Sequence, residues 1–464
     1  MNLAVLQADF GCYREAVAAM LETVSTAREN RDMTCLNFAL NWLYHFGHAH
    51  PDLLRNLESN SMLGAGKEGL AFLRVKAKET GMWMLWSSVL LSEAKLSLTN
   101  GDSIATCFEF IVRSSQIMVE RSMKNMFSSS MSVLTSLWDR LGIAHMSTMT
   151  CEVFLRCHAQ NCMFDEELKM TCRLSATLVG RGKYDESLRI LESLDGDSLR
   201  SWKSKQYWHK YRGIIKLKRD LHHNNLSGAE QLLDQLLQSK FDDMEPDLSD
   251  LIDLLHVDCL IRRGDLQNAC GKIEVLLSKL QDDHNDIAIK VRLLLWKVIL
   301  LNRCGRQQRG FTTAMRAASM AWRARLVPQV WASTGAIANI LVSMGEFESA
   351  AQLLTAVIPR ALECELGDLA GQLYSYLADA YMGLAGEVDP KSSRRTERIT
   401  SALGAVQKAF DCYSAVEEIS KQCEMMAKKA MIMKLSGDLV LAADYAAAYV
   451  NLKKSEEAYS VGPA

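Results

Sequence analysis

The chain has 464 residues, 48% hydrophobic and 23% charged, with a formal net charge of −2. That balance excludes a disordered polyelectrolyte and gives no global push towards nucleic acid or an acidic membrane face. There are only six prolines, so the chain is free to be helical nearly throughout, and the thirteen cysteines, odd in number and mostly beside apolar residues, read as reduced thiols.

The N-terminus has no basic segment followed by a signal-like apolar core. Instead a turn motif begins at once, as Gly11-Cys-Tyr13-Arg-Glu-Ala16. The most apolar stretch, Met82 to Leu91, is about half the length a membrane-spanning helix needs. The motif returns as Gly182-Lys-Tyr184-Asp-Glu-Ser187, Asn224-Asn-Leu226-Ser-Gly-Ala229 and Gly264-Asp-Leu266-Gln-Asn-Ala269. Gly345-Glu-Phe347-Glu-Ser-Ala350 and Gly437-Asp-Leu439-Val-Leu-Ala442 complete the strong copies. Weaker copies fall at Gly47, Asn100 to Ala105, Gly142 to Ser147 and Gly305 to Gly310.

From position 100 to 345 the turns step by 42, 40, 42, 40, 41 and 40 residues. Glycine ends a first helix because it accepts a left-handed backbone without steric cost. The large residue two places on fills the gap between paired helices, and the small residue three further lets the second helix approach closely. The second helices carry one apolar face, as at Leu232, Leu233, Leu236 and Leu237, and at Leu353, Leu354, Val357, Ala361 and Leu362. No segment shows sustained alternation, so no sheet is expected. The sequence predicts an all-α, tetratricopeptide-like helical-repeat solenoid, a superhelix of about eleven helix pairs with a period near 40. It occupies 1–452 continuously, with loop insertions near 60–69 and 386–400, and 453–464 form a flexible tail.

Three groups invite a site and are read as ordinary structure. Cys151, Cys157, His158, Cys162 and Cys172 lack zinc-site spacing and read as core thiols. His45, His48 and His50, and the pair His222-His223, read as solvated inter-helix loops. Gly64 to Gly69 (GAGKEG) lacks the spacing and the preceding strand of a phosphate loop. No catalytic, cofactor or metal motif is found, and no enzyme activity or cofactor is expected.

Charge segregation is sharper. No Asp or Glu occurs from Ile287 to Gly345, and an acidic stretch, Asp242 to Asp286, precedes it. Arg303, Arg306, Arg309, Arg316, Arg323 and Arg325 are the candidate partner-binding residues, since arginine clamps carboxylates with two parallel bonds. A solvated face with the two zones offsetting each other is the plainer reading.

The first block, Leu3 to Tyr44, contains Phe10-Gly11, Tyr13, Ala16, Glu22, Ala27, Glu29, Asp32, Cys35-Leu36 and Trp42-Leu43-Tyr44. It resembles a repeat of subunit 5 of the anaphase-promoting complex (cyclosome), a cell-cycle ubiquitin ligase. A later block, Asn339-Ile340-Leu341, the Gly345 turn and AVIPRALECELGD with Pro359, is similar to a late repeat of that family, and the insertion at Asp389-Pro390-Lys391 falls where the family has one. The family carries a further helical domain before its repeats, whereas Met1 here enters a repeat helix directly. The resemblance implies a non-catalytic scaffold subunit whose partners are the large scaffold and small accessory subunits of that complex. It also implies an intracellular protein of nucleus and cytoplasm, with neither nucleic acid nor membrane as a partner. The alternative is a free-standing tetratricopeptide adaptor for acidic or extended peptide segments.

Overall fold

The computed structural model describes residues 1–50, 67–194, 202–238, 246–280, 286–389 and 392–460. Among them are 22 α-helices and no strand. They alternate as first and second helices of antiparallel pairs, from Asn2–Asp9 with Tyr13–Glu29 to Ile419–Ser436 with Leu439–Ser460. Consecutive helices pack on one another throughout, which is the nearest-neighbour arrangement of a solenoid.

The turn motif folds as its chemistry requires. Gly11, Gly101, Gly142, Gly182, Gly264, Gly305, Gly345 and Gly437 all take positive φ and close a first helix, and Asn224 does the same at φ 57°. The small residue that follows is fully buried at Ala16, Ser187, Ala229, Ala269 and Ala350. Tyr184 is buried as a plug, whereas Leu439, in the last pair, is 68% exposed. The apolar faces pack as their spacing predicts at Leu233, Leu236, Leu354, Val357 and Ala361, but Leu362 is exposed. Some helix starts carry side-chain caps: Asp32 accepts from the Thr34 and Cys35 amides, both at 3.1 Å.

Three expectations from the sequence differ, and a fourth falls mostly outside the described residues. Gly47 is not a turn, because it lies inside the Met33–Ala49 helix. The polar stretch 386–400 is mostly not a loop: Ser392 caps a helix running Ser393–Ala415. Of the insertion expected near 60–69, residues 60–66 lie outside the described residues and Lys67 opens the Lys67–Glu79 helix. The expected tail continues as helix to Ser460, with 461–464 outside the described residues.

The stack also winds back on itself. Trp83–Asn100 touches Ile287–Arg303, Phe127–Leu141 touches Val327–Met344, and Leu226–Gln238 touches Leu439–Ser460. Each contact joins a helix to the tenth one after it in chain order, so a superhelical turn takes five helix pairs. The seam between turns is tight and polar. A Cβ on Gly101 would lie 2.9 Å from Ala324 Cβ, and one on Gly142 would lie 2.7 Å from Cys364 Sγ. Arg140 Nη2 donates to Asp286 Oδ2 at 2.8 Å, and Asp286 also caps the Ile287–Arg303 helix. Arg181 pairs with Glu365, and His223 with Glu417 at 2.9 Å. Glu365 and Glu417 are themselves positive-φ residues, at 52° and 58°. They keep a strained backbone and a carboxylate where glycine would relieve the strain but lose the contact across the seam.

Candidate functional site

The winding encloses a central groove with a cavity of about 890 Å³. First helices line it from both turns: Arg140 and Arg173 from the earlier turn, Arg292, Arg303, Gln329 and Gln372 from the later one. This follows from the pairing, since the second helices cover the outside and the first helices face the axis. Groove side chains are wetted yet encircled by protein. Burial accordingly lowers the Arg292 guanidinium pKa and raises the Asp139 carboxyl, each towards its neutral form.

The six candidate arginines are all exposed, and none pairs with another described carboxylate within 4.0 Å. They do not share one face. Arg303 ends the Ile287–Arg303 helix and lines the central groove. Arg306 and Arg309 lie in the turn that follows, with the short 3₁₀ helix Gln307–Gly310. Arg316 and Arg323 stand seven residues apart on Phe311–Arg323, and so on one face of that second helix. Arg325 occupies the next positive-φ turn, its guanidinium 4.6 Å from the Trp322 ring centre. Phe311, Met315 and Trp322 are exposed on the same helix, Trp322 by 57%. The acid-free span therefore presents two groove cations, Arg292 and Arg303, a basic turn, and an outer helix mixing cations with apolar side chains. Of the acidic stretch before it, Asp286 is used within the molecule, by Arg140.

The cysteine group is only partly core: Cys162 is half-buried. Cys151 and Cys172 are buried, Cys157 is exposed, and no disulfide forms. His50 packs 4.2 Å from the Tyr13 ring. The reading of His222-His223 as a solvated loop is overturned. His222 is 3% exposed and ends the Trp202–His222 helix against the next superhelical turn. Only the buried residues Leu217 and Leu221 upstream hinted that this helix end is covered; its cover comes from residues near 416, beyond the reach of any local pattern.

No helix among the described residues is long and apolar enough to cross a membrane.

The chain is also similar to known proteins. The family model of anaphase-promoting complex subunit 5 matches residues 1–50. Anaphase-promoting complex subunit 5 of Schizosaccharomyces pombe is 26% identical over 326 residues, which is 69% of this chain and 42% of that protein. The Homo sapiens subunit 5 is 38% identical over 73 residues, covering 16% of this chain and 10% of that one. The resemblance read from Phe10-Gly11 and Trp42 to Tyr44 is thus borne out, and the chain spans less than half the length of these relatives. Among solved structures, the hetero-tetramer Cut9–Hcn1 of the same complex aligns with 98% of this chain and 82% of its own at 13% identity and a TM-score of 0.44. A Rap protein complexed with competence and sporulation factor aligns with 63% of this chain and 78% of its own at 13% identity and a TM-score of 0.46.

Proposed function

We propose that the chain acts as a non-catalytic scaffold subunit of the anaphase-promoting complex, holding other scaffold and accessory subunits of this cell-cycle ubiquitin ligase. The observation that carries this reading is the similarity to subunit 5, which runs along 326 residues rather than through one turn motif. Shared helical periodicity alone would give a resemblance to any tetratricopeptide array; a specific relative over most of the chain does not follow from it.

The architecture supports the reading. A superhelix whose first helices line a groove and whose second helices form an outer wall offers long surfaces of fixed shape. Exposed Phe311, Met315 and Trp322 beside Arg316, Arg323 and Arg325 give the outer wall a composition suited to protein contact, where aromatic residues, methionine and arginine are enriched. The partners are then other subunits of the complex, and the protein works inside the cell, in nucleus and cytoplasm.

Affinity purification of the tagged protein from native extract tests this. Co-elution of the complex's cullin-like and RING subunits is expected. Recovery of a monomer without companions overturns the proposal.

A further inference from the structure

Three helices from two superhelical turns bring His222, Asp368 and Glu418 together at the inner seam. Each offers one ligand atom, and the three atoms lie within 4.8 Å of one another. His222 ends Trp202–His222 in one turn; Asp368 opens Gly367–Gly386 and Glu418 caps Ile419–Ser436 in the next.

We propose that these residues form a divalent-cation site that fastens successive turns of the superhelix.

Four observations support it. First, the donors are of the right kind: one imidazole nitrogen and two carboxylate oxygens suit zinc, cobalt or manganese. Second, the histidine is oriented as a ligand. Its Nδ1 lies 3.1 Å from the Val416 carbonyl, which leaves Nε2 as the ring nitrogen turned towards the carboxylates. A backbone carbonyl fixing the distal nitrogen is the usual support of a metal-bound histidine. Tyr184 Oη, at 2.9 Å, is a second partner of the same nitrogen, so Nδ1 is doubly anchored.

Third, Glu418 is 2% exposed and its Oε2 has no hydrogen-bond partner, although it lies 3.5 Å from His222 Nε2. A buried carboxylate oxygen without a partner is costly, and a cation bound between it and His222 Nε2 would satisfy both groups. The other oxygen, Oε1, is committed to Arg262 Nη1 at 2.8 Å, and Arg262 Nε is held by Asp258 at 3.0 Å. The glutamate is therefore fixed with one oxygen pointing into the cluster. Fourth, Asp368 lines the central groove, so an ion and its remaining water ligands can enter from the solvent-filled side.

Thirteen free cysteines could bind a thiophilic metal elsewhere, so the probe is Co²⁺, whose spectrum separates thiolate from nitrogen and oxygen ligands. The full chain, stripped with EDTA, is titrated with Co²⁺. One equivalent should bind with visible d–d bands and no thiolate charge-transfer band, and should raise the unfolding temperature. Asp368→Asn and Glu418→Gln should each weaken binding at least tenfold. Asp368→Asn, on the wet side, should keep wild-type helicity and a cooperative metal-free melt, so it still tests the idea if Glu418→Gln fails to fold. The proposal is overturned if no stoichiometric Co²⁺ binds, if only thiolate bands appear, or if Asp368→Asn binds as tightly as wild type. In those cases a proton shared by the two carboxyl groups relieves the cluster instead.

Discussion

A Cβ placed on Gly182 would sit 1.9 Å from the carbonyl oxygen of Ala415. One glycine thus serves two purposes: it closes a first helix at φ +82°, and it lets the next superhelical turn approach to backbone contact. Gly264 and Gly345 have similar φ, at 89° and 88°, but a Cβ on either meets nothing within 4 Å. Gly182→Ala should therefore cost far more than Gly264→Ala or Gly345→Ala. The latter two carry only the left-handed backbone cost of about 1–2 kcal/mol. Gly182→Ala adds a clash with backbone that cannot step aside, and scattering should show a more open superhelix. Chemical denaturation of the three variants, with small-angle scattering of each, checks this; equal losses would show that the seam is not a tight contact.

The seam ion pair Arg140–Asp286 spans two turns with both side chains largely covered, at 16% and 27% exposure. A double-mutant cycle with Arg140→Ala and Asp286→Ala should return a coupling of about 0.5–1.5 kcal/mol. Asp286→Ala should cost more than the coupling alone, because the same carboxylate accepts from the Ala288 amide at 3.0 Å as a helix cap. Additive single losses would mean that the pair contributes no coupling across the seam.

The pairs and their period were legible because each turn is a local event: the glycine, the plug and the small residue lie within six positions. Gly47 misled because a glycine near a predicted boundary is also tolerated inside a helix, and nothing local distinguishes the two. The opposite turns, at Arg31, Ser122, Arg325, Glu365 and Glu417, were missed because non-glycine residues take positive φ there. At Glu365 the reason is an ion pair with Arg181 of the preceding superhelical turn, and at Glu417 a hydrogen bond with His223 of that turn. That turn is fixed by small rotations summed over five pairs, which no window of sequence displays. The candidate arginines were a contiguous stretch in sequence, yet the alternation of inner and outer helices divides them between groove and wall.

Glu93 gives a pH-dependent prediction. It is 8% exposed, and burial raises its pKa above the ordinary 4.5 although Arg74, at 3.0 Å, pulls the other way. A carboxyl with a raised folded pKa holds its proton more tightly when folded. Its contribution to stability is full below about pH 4.5 and is lost as pH rises through the folded value. Wild type should therefore lose stability relative to Glu93→Gln between pH 4 and pH 7. Urea melts of both proteins at the two pH values measure this; a relative gain by wild type at pH 7 would mean that Arg74 outweighs the burial.

The arginines give the prediction closest to function. Reversal of Arg303, Arg306 and Arg309 to glutamate should weaken association with at least one partner several-fold. The unfolding temperature should stay near wild type, because the three side chains are exposed and make no ion pair with another described residue. Arg316, Arg323 and Arg325 form the matched set on the outer helix and its turn. If the groove end of the span is what binds, the first triple reduces co-purification and the second does not; if the outer wall binds, the order reverses. In both cases the contact should weaken as salt rises, since exposed charges more than about 10 Å apart are screened at 0.1 M. Unchanged co-purification in both triples would leave the acid-free span as a solvated surface with no part in assembly.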